Sequence, residues 1–203
     1  AEVLKNNLPA TTLLDADFTY VNERLAEHYG IDGGEGRGFR RVSLSGQARR
    51  GILGHGSILT LTSYPTRTSP VLRGKFVLEN LLDTPPPPPP PNIPQLESPE
   101  SHGEHLSLRE QMERHRDDPA CSSCHALMDP IGFGLENYDA IGKWRTRDGK
   151  FPIDSTGVLP DGRRFSGPAE MRQALLAQMP EFARNVGRLY RWRMADDLGL
   201  AVH

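Results

Sequence analysis

Cysteine is nearly absent: 203 residues contain two. With no second pair, a four-cysteine zinc site is excluded. A site of two cysteines and two histidines would need a histidine pair after the cysteines, and only His203 follows His125. An excess of either charge is lacking too. Twenty-four basic residues face 26 acidic ones, a net charge of -2, which gives no case for nucleic-acid binding. No apolar run approaches the roughly 18 residues of a membrane-spanning helix. Apolar content is modest, at 36%, while glycine (20) and proline (18) are plentiful, as in a loop-rich chain. The sequence starts at Ala1 with no export signal in view, so a mature piece or a fragment of a longer parent is expected.

The two cysteines stand together in Cys121-Ser122-Ser123-Cys124-His125. Cys-x-x-Cys-His is the attachment signature of a c-type haem. Each thiol can add across one porphyrin vinyl group, and the adjacent histidine can bind the iron from one axial side. A disulfide, two free thiols or a thioredoxin-like dithiol are the alternatives. The dithiol motif should open a helix after a buried strand, whereas the segment from Glu104 to Arg116 reads as polar and helical. Haem c attachment occurs outside the cytoplasm, so the motif places the chain in the periplasm, in an exported protein or at the cell surface. A bound haem would also enlarge the core of a chain poor in apolar residues.

Around the motif, local signals predict mainly α structure with small β-hairpins. A helix is expected from about Tyr20 to His28, capped by Asp17 or Thr19 and closed by Gly30. Phe39–Leu44 alternates like a short strand. Ser69 and Pro70 open a helix to about Leu82. Pro85–Pro91 is an unbroken proline run, read as a stiff strap or linker over residues 85–101. Residues 102–118 read as a charged helix. Pro130, Gly132 and Gly134 read as a loop, and Asp148-Gly149 and Asp161-Gly162 as hairpin turns. A helix from Gly167-Pro168 to Gln178 and a last one over 181–194 complete the chain. The organisation expected is a loop-rich helical module over 1–84, the strap, and a cytochrome-c-like haem-binding module over 102–203.

Candidate residues follow from that chemistry. Cys121, Cys124 and His125 hold the haem. Arg67 and Arg73 are candidates for pairing with a propionate, because a guanidinium fork matches a carboxylate; the alternative for each is a surface arginine. For the second axial position the order is His55, Met171, Met179, then His115. His55 lies between two glycines in an apolar run, and its alternative is a buried histidine with a backbone partner. Met171 lies 46 residues beyond His125 and fits equally as a helix packing residue. His115, six residues before Cys121, would have to wrap over a short span. Met128, three residues after His125, is expected to pack rather than ligate.

Three blocks carry a family resemblance. They are Asp17-Phe18-Thr19-Tyr20-Val21-Asn22-Glu23-Arg24-Leu25-Ala26; Gly51-Ile52-Leu53 with Thr66-Arg67-Thr68-Ser69-Pro70-Val71 and Arg73-Gly74; and the stretch from His115-Arg116 through the cysteine motif, Met128-Asp129-Pro130 and Leu135-Glu136-Asn137-Tyr138-Asp139 to Trp144-Arg145 and Ile153-Asp154. The chain resembles the C-terminal part of large exported proteins, abundant in planctomycetes, that carry cytochrome-c-like domains of unknown function. The resemblance implies two adjoining modules, a longer parent with upstream domains, and a haem. The function expected is one-electron transfer by a single covalent haem c, with a redox partner protein or membrane complex. The alternatives are a peroxidase-like or oxygen-activating haem enzyme, and an accessory haem subunit docked on a membrane redox or photosynthetic complex.

Overall fold

In the computed structural model, which describes residues 2–88 and 106–178, helices dominate and three two-stranded antiparallel sheets are set among them. Two short helices, α1 (Glu2–Lys5) and α2 (Thr12–Asp15), lead into strand β1 (Phe18–Val21) and helix α3 (Glu23–Tyr29). Strand β2 (Arg40–Ser43) pairs with β1, Phe18 opposite Ser43. A single 3-10 turn (Ile52–Gly54) precedes α4 (Gly56–Leu61) and α5 (Pro70–Asn80). Helices α6 (Leu108–His115) and α7 (Pro119–Phe133) follow. The hairpins β3 (Arg147–Asp148) with β4 (Phe151–Pro152), and β5 (Thr156–Val158) with β6 (Arg164–Ser166), come before α8 (Gly167–Leu176).

The caps show why these segments are helical. Ser69 accepts a hydrogen bond from the Leu72 amide at 3.3 Å and Pro70 fills the first turn of α5, as expected. Gly30 closes α3 in the left-handed conformation, φ 66°. The start of α3 differs from expectation. Residues 18–21 are a strand, and Asn22, not Asp17 or Thr19, caps the helix by accepting from the Leu25 amide at 3.0 Å. Ser107 and Glu110 form a reciprocal capping box on α6.

Pro130 and Gly132 do not open a loop: α7 runs through both to Phe133. What holds it is a backbone-to-backbone crossing with α5. A Cβ on Gly74 would stand 1.9 Å from the Met128 carbonyl oxygen, and one on Gly132 would stand 1.9 Å from that of Pro70. Each helix thus presents a glycine to the other's main chain, and the two approach as closely as glycine permits. Around this crossing lies one apolar cluster. It takes Leu14, Leu53, Leu59, Val77 and Leu78 from before the proline run, and Met128, Ile131, Leu135, Tyr138, Phe165 and Met171 from after it. The sequence segments 2–84 and 106–178 therefore share a core. A satellite of Val21, Ala26 and Val42 lies under the β1–β2 sheet.

A buried polar cluster locks the turn after α7 onto α5. Arg73, fully buried, donates to the carbonyl oxygens of Leu135 (2.7 Å), Tyr138 (2.8 Å) and Asp139 (2.8 Å), to Glu136 (3.0 Å) and to Ser63 (3.2 Å). Glu136 also accepts from Thr68 at 2.6 Å and Arg145 at 2.9 Å. Burial pushes the Glu136 carboxyl above its ordinary range, against the pull of Arg73, Thr68 and Arg145. Among the described residues, no helix is long and apolar enough to cross a membrane.

Candidate functional site

The cysteine motif lies in the first half of α7, whose opening turn is fastened by the Asp118 carbonyl accepting from the Cys121 and Ser122 amides. Cys121 and Cys124 are three residues apart, so they sit one helical turn apart on one face. Both thiols are free and half-buried. Burial, then the Asp118 carboxylate and Cys124, push the Cys121 thiol above its ordinary value. A reactive redox dithiol needs the reverse, a thiol drawn down toward thiolate. The Cys124 sulfur lies 3.9 Å from the Pro87 carbonyl oxygen, so the start of the proline run passes beside the motif.

His125 follows on the same side of α7, with its side chain one-fifth exposed. Its Nδ1 meets both carboxylate oxygens of Asp129, at 3.0 and 3.1 Å. Asp129 is fully buried, and the Arg116 Nε lies 4.0 Å from its carboxylate. With Nδ1 so engaged, Nε2 is the nitrogen left for a metal. Two unpaired thiols and one oriented imidazole at positions 121, 124 and 125 of one helix match the donor set that a covalent haem would require. Among the described residues, no cluster of three or more His, Cys, Asp or Glu side chains could hold a bare metal ion.

The other candidates fall elsewhere. Arg73 is enclosed in the cluster with Glu136, its guanidinium donating to five partners. Arg67 is exposed and stacks over the Tyr64 ring at 4.7 Å. His55 precedes α4 and is exposed; desolvation, then the Arg49 cation, hold it below the usual imidazole value, an effect that solvent tempers. Its neighbour Gly56 faces Tyr29 and Ile141. Met171 is fully buried, its sulfur packed at Gly134, beyond the far end of α7 from the cysteines. Met128 is buried in the same cluster, in keeping with a packing role. Met179, His102, His105 and the 181–194 helix lie outside the described residues.

The imidazole beside His125 is His115. Its ring centroid is 5.0 Å away with the planes at 79°. α6 ends at His115 and α7 begins at Pro119, so one tight turn sets the two rings side by side rather than on opposite sides of a plane. Asp129 escaped the sequence reading because Pro130 suggested a loop at that point. Its spacing of four from His125 is the signal that would have found it, since residues i and i+4 meet on a helix. A separate cleft of about 570 Å³ lies along α7, between Arg109, Arg116, Phe133, Arg164 and Phe165. It shares Arg116 with the site and includes neither cysteine.

Comparison with protein families finds two matches. Residues 49–148 match the model of PSCyt3, a protein of unknown function (DUF1588), and residues 1–31 match that of PSD4, a protein of unknown function (DUF1592). No curated protein and no solved structure matches the chain.

Proposed function

We propose that the chain is a c-type cytochrome module that carries one covalent haem and passes single electrons between partners outside the cytoplasm. The observation that carries the reading is the donor set on α7. Two free thiols stand one turn apart next to a histidine whose Nδ1 is already held, leaving Nε2 for iron. The name of the matched PSCyt3 family hints in the same direction. When bound, the haem supplies a one-electron couple. The chain's residues do the rest: Cys121 and Cys124 anchor, Asp129 fixes the imidazole ring, and the α5–α7 crossing keeps the helix in place. His55 stays the candidate for the second axial position, because His115 packs against His125 on the proximal side. Met171 could serve only by leaving a fully buried core position.

One observation also suits an enzyme. A carboxylate behind the proximal histidine raises the ligand's basicity, and electron density pushed onto iron favours cleavage of an O–O bond. The test is production of the chain in a host with a c-type haem maturation system, followed by optical spectra. The carrier reading expects a six-coordinate low-spin reduced form unchanged by carbon monoxide. A high-spin reduced form that binds carbon monoxide replaces it with the enzyme reading.

A further inference from the structure

We infer that Asp129 is a positioning residue that sets the reduction potential of the site through His125. The inference rests on the haem reading above and goes beyond it, because the attachment motif says nothing about the group behind the histidine. A metal-bound imidazole donates its second N–H to a neighbour, and the neighbour's charge decides how strongly the ring donates to the metal. Here that neighbour is an acidic side chain, fully buried, with both oxygens within 3.1 Å of Nδ1. A carboxylate so placed draws the ring toward imidazolate and adds its own negative charge in a poorly solvated position. Both effects favour ferric over ferrous iron.

The geometry that holds Asp129 is built rather than incidental. The carbonyls on either side of it are fixed by glycine contacts. A Cβ on Gly74 would lie 1.9 Å from the Met128 oxygen, and one on Gly157 would lie 2.0 Å from the Pro130 oxygen. α7 is thus clamped one residue before and one residue after Asp129, and the carboxylate has little freedom to leave His125. Arg116, 4.0 Å from the carboxylate and 3.7 Å from Glu113, is the cation that moderates its charge from outside. His115, ring against ring, limits how far His125 can turn.

Asp129→Asn tests this on the haem-loaded chain. The amide keeps the size and an acceptor oxygen for Nδ1–H but removes the charge. The expected result is a chain that still stains for covalent haem, with a reduction equilibrium shifted about tenfold toward ferrous iron, a rise of about 59 mV for one electron. The Nδ1–H proton resonance of the reduced form moves upfield, which a purely structural role for Asp129 would not produce. A haem-loaded variant with unchanged potential and an unchanged resonance overturns the inference. Should Asp129→Asn fail to load haem, Arg116→Gln takes its place: freeing the carboxylate from its cation moves the resonance downfield and lowers the potential, and an unmoved resonance overturns the inference. A wild-type chain without a haem band overturns the cofactor reading itself, by a signal that appears before any comparison of variants.

Discussion

At the residue scale, two buried side chains give the most direct consequences. Arg73 places one guanidinium among three carbonyls, a hydroxyl and a carboxylate, with no exposed surface. Removing Arg73 takes the donor from three buried carbonyls and leaves Glu136 with Arg145 as its remaining cation, which costs about 3–5 kcal/mol. Arg73→Ala is therefore expected to lower unfolding stability by that amount in denaturant titration. Arg73→Lys should recover only part of it, because an ammonium cannot reach so many acceptors from a single fork. A loss below about 1 kcal/mol for Arg73→Ala would contradict the network as described. Tyr138 acts through pH. Burial is the main cause that pushes its phenol up to about 12 from the ordinary 10.0. The unfolded chain then releases this proton near 10 while the folded chain keeps it until about 12. Its stabilising contribution is complete below pH 10 and is lost between 10 and 12. Its hydroxyl has no hydrogen-bond partner among the described residues. Tyr138→Phe should therefore flatten the decline in stability over that alkaline window. At neutral pH it should leave stability unchanged or raise it by about 1 kcal/mol.

At the scale of elements, the α5–α7 crossing decides where the site can be. Gly74→Ala or Gly132→Ala would drive a methyl group into a backbone carbonyl that has no rotamer by which to move aside. Each should cost about 3 kcal/mol or more and separate the helices. Gly38→Ala is the control: its Cβ would meet nothing within 4 Å, and it should be tolerated. Equal stabilities for the three variants, read from thermal unfolding, would remove the crossing from the account. The same elements show what a sequence can and cannot disclose. The Ser69 cap, the Gly30 terminator and the Asp-Gly turns are signals spoken by adjacent residues, and each lies where the sequence puts it. The sequence pattern starts a helix at about Tyr20, inside strand β1, because four residues carry little period and the partner β2 begins 19 residues beyond them. α7 continues past Pro130 because contacts with α5 and β5, remote in sequence, outweigh the local penalty of proline. Among site residues, the Cys-x-x-Cys-His motif is local and legible. Arg73 looked free for a propionate because Glu136, 63 residues away, is visible only in three dimensions. Asp129 is hidden for a related reason: Pro130 signals a helix end there, yet α7 runs on to Phe133.

At the scale of the molecule, one apolar cluster takes residues from both sides of the proline run. Unfolding is accordingly expected as a single cooperative transition, the same by circular dichroism and by tryptophan fluorescence. Two separated transitions would mean that the segments before and after the run are independent. The motif helix is thus not an appendage: it crosses α5, supports the polar cluster at its end and presents Cys124 beside Pro87. The proposed role of this helix is to hold a covalent haem. Intact-protein mass measurement after denaturation tests it most directly. The wild-type chain from a haem-maturing host should carry the added mass of one haem, and the Cys121→Ala/Cys124→Ala chain none. A wild-type chain at its bare polypeptide mass, or a double variant that keeps the haem, would contradict the account.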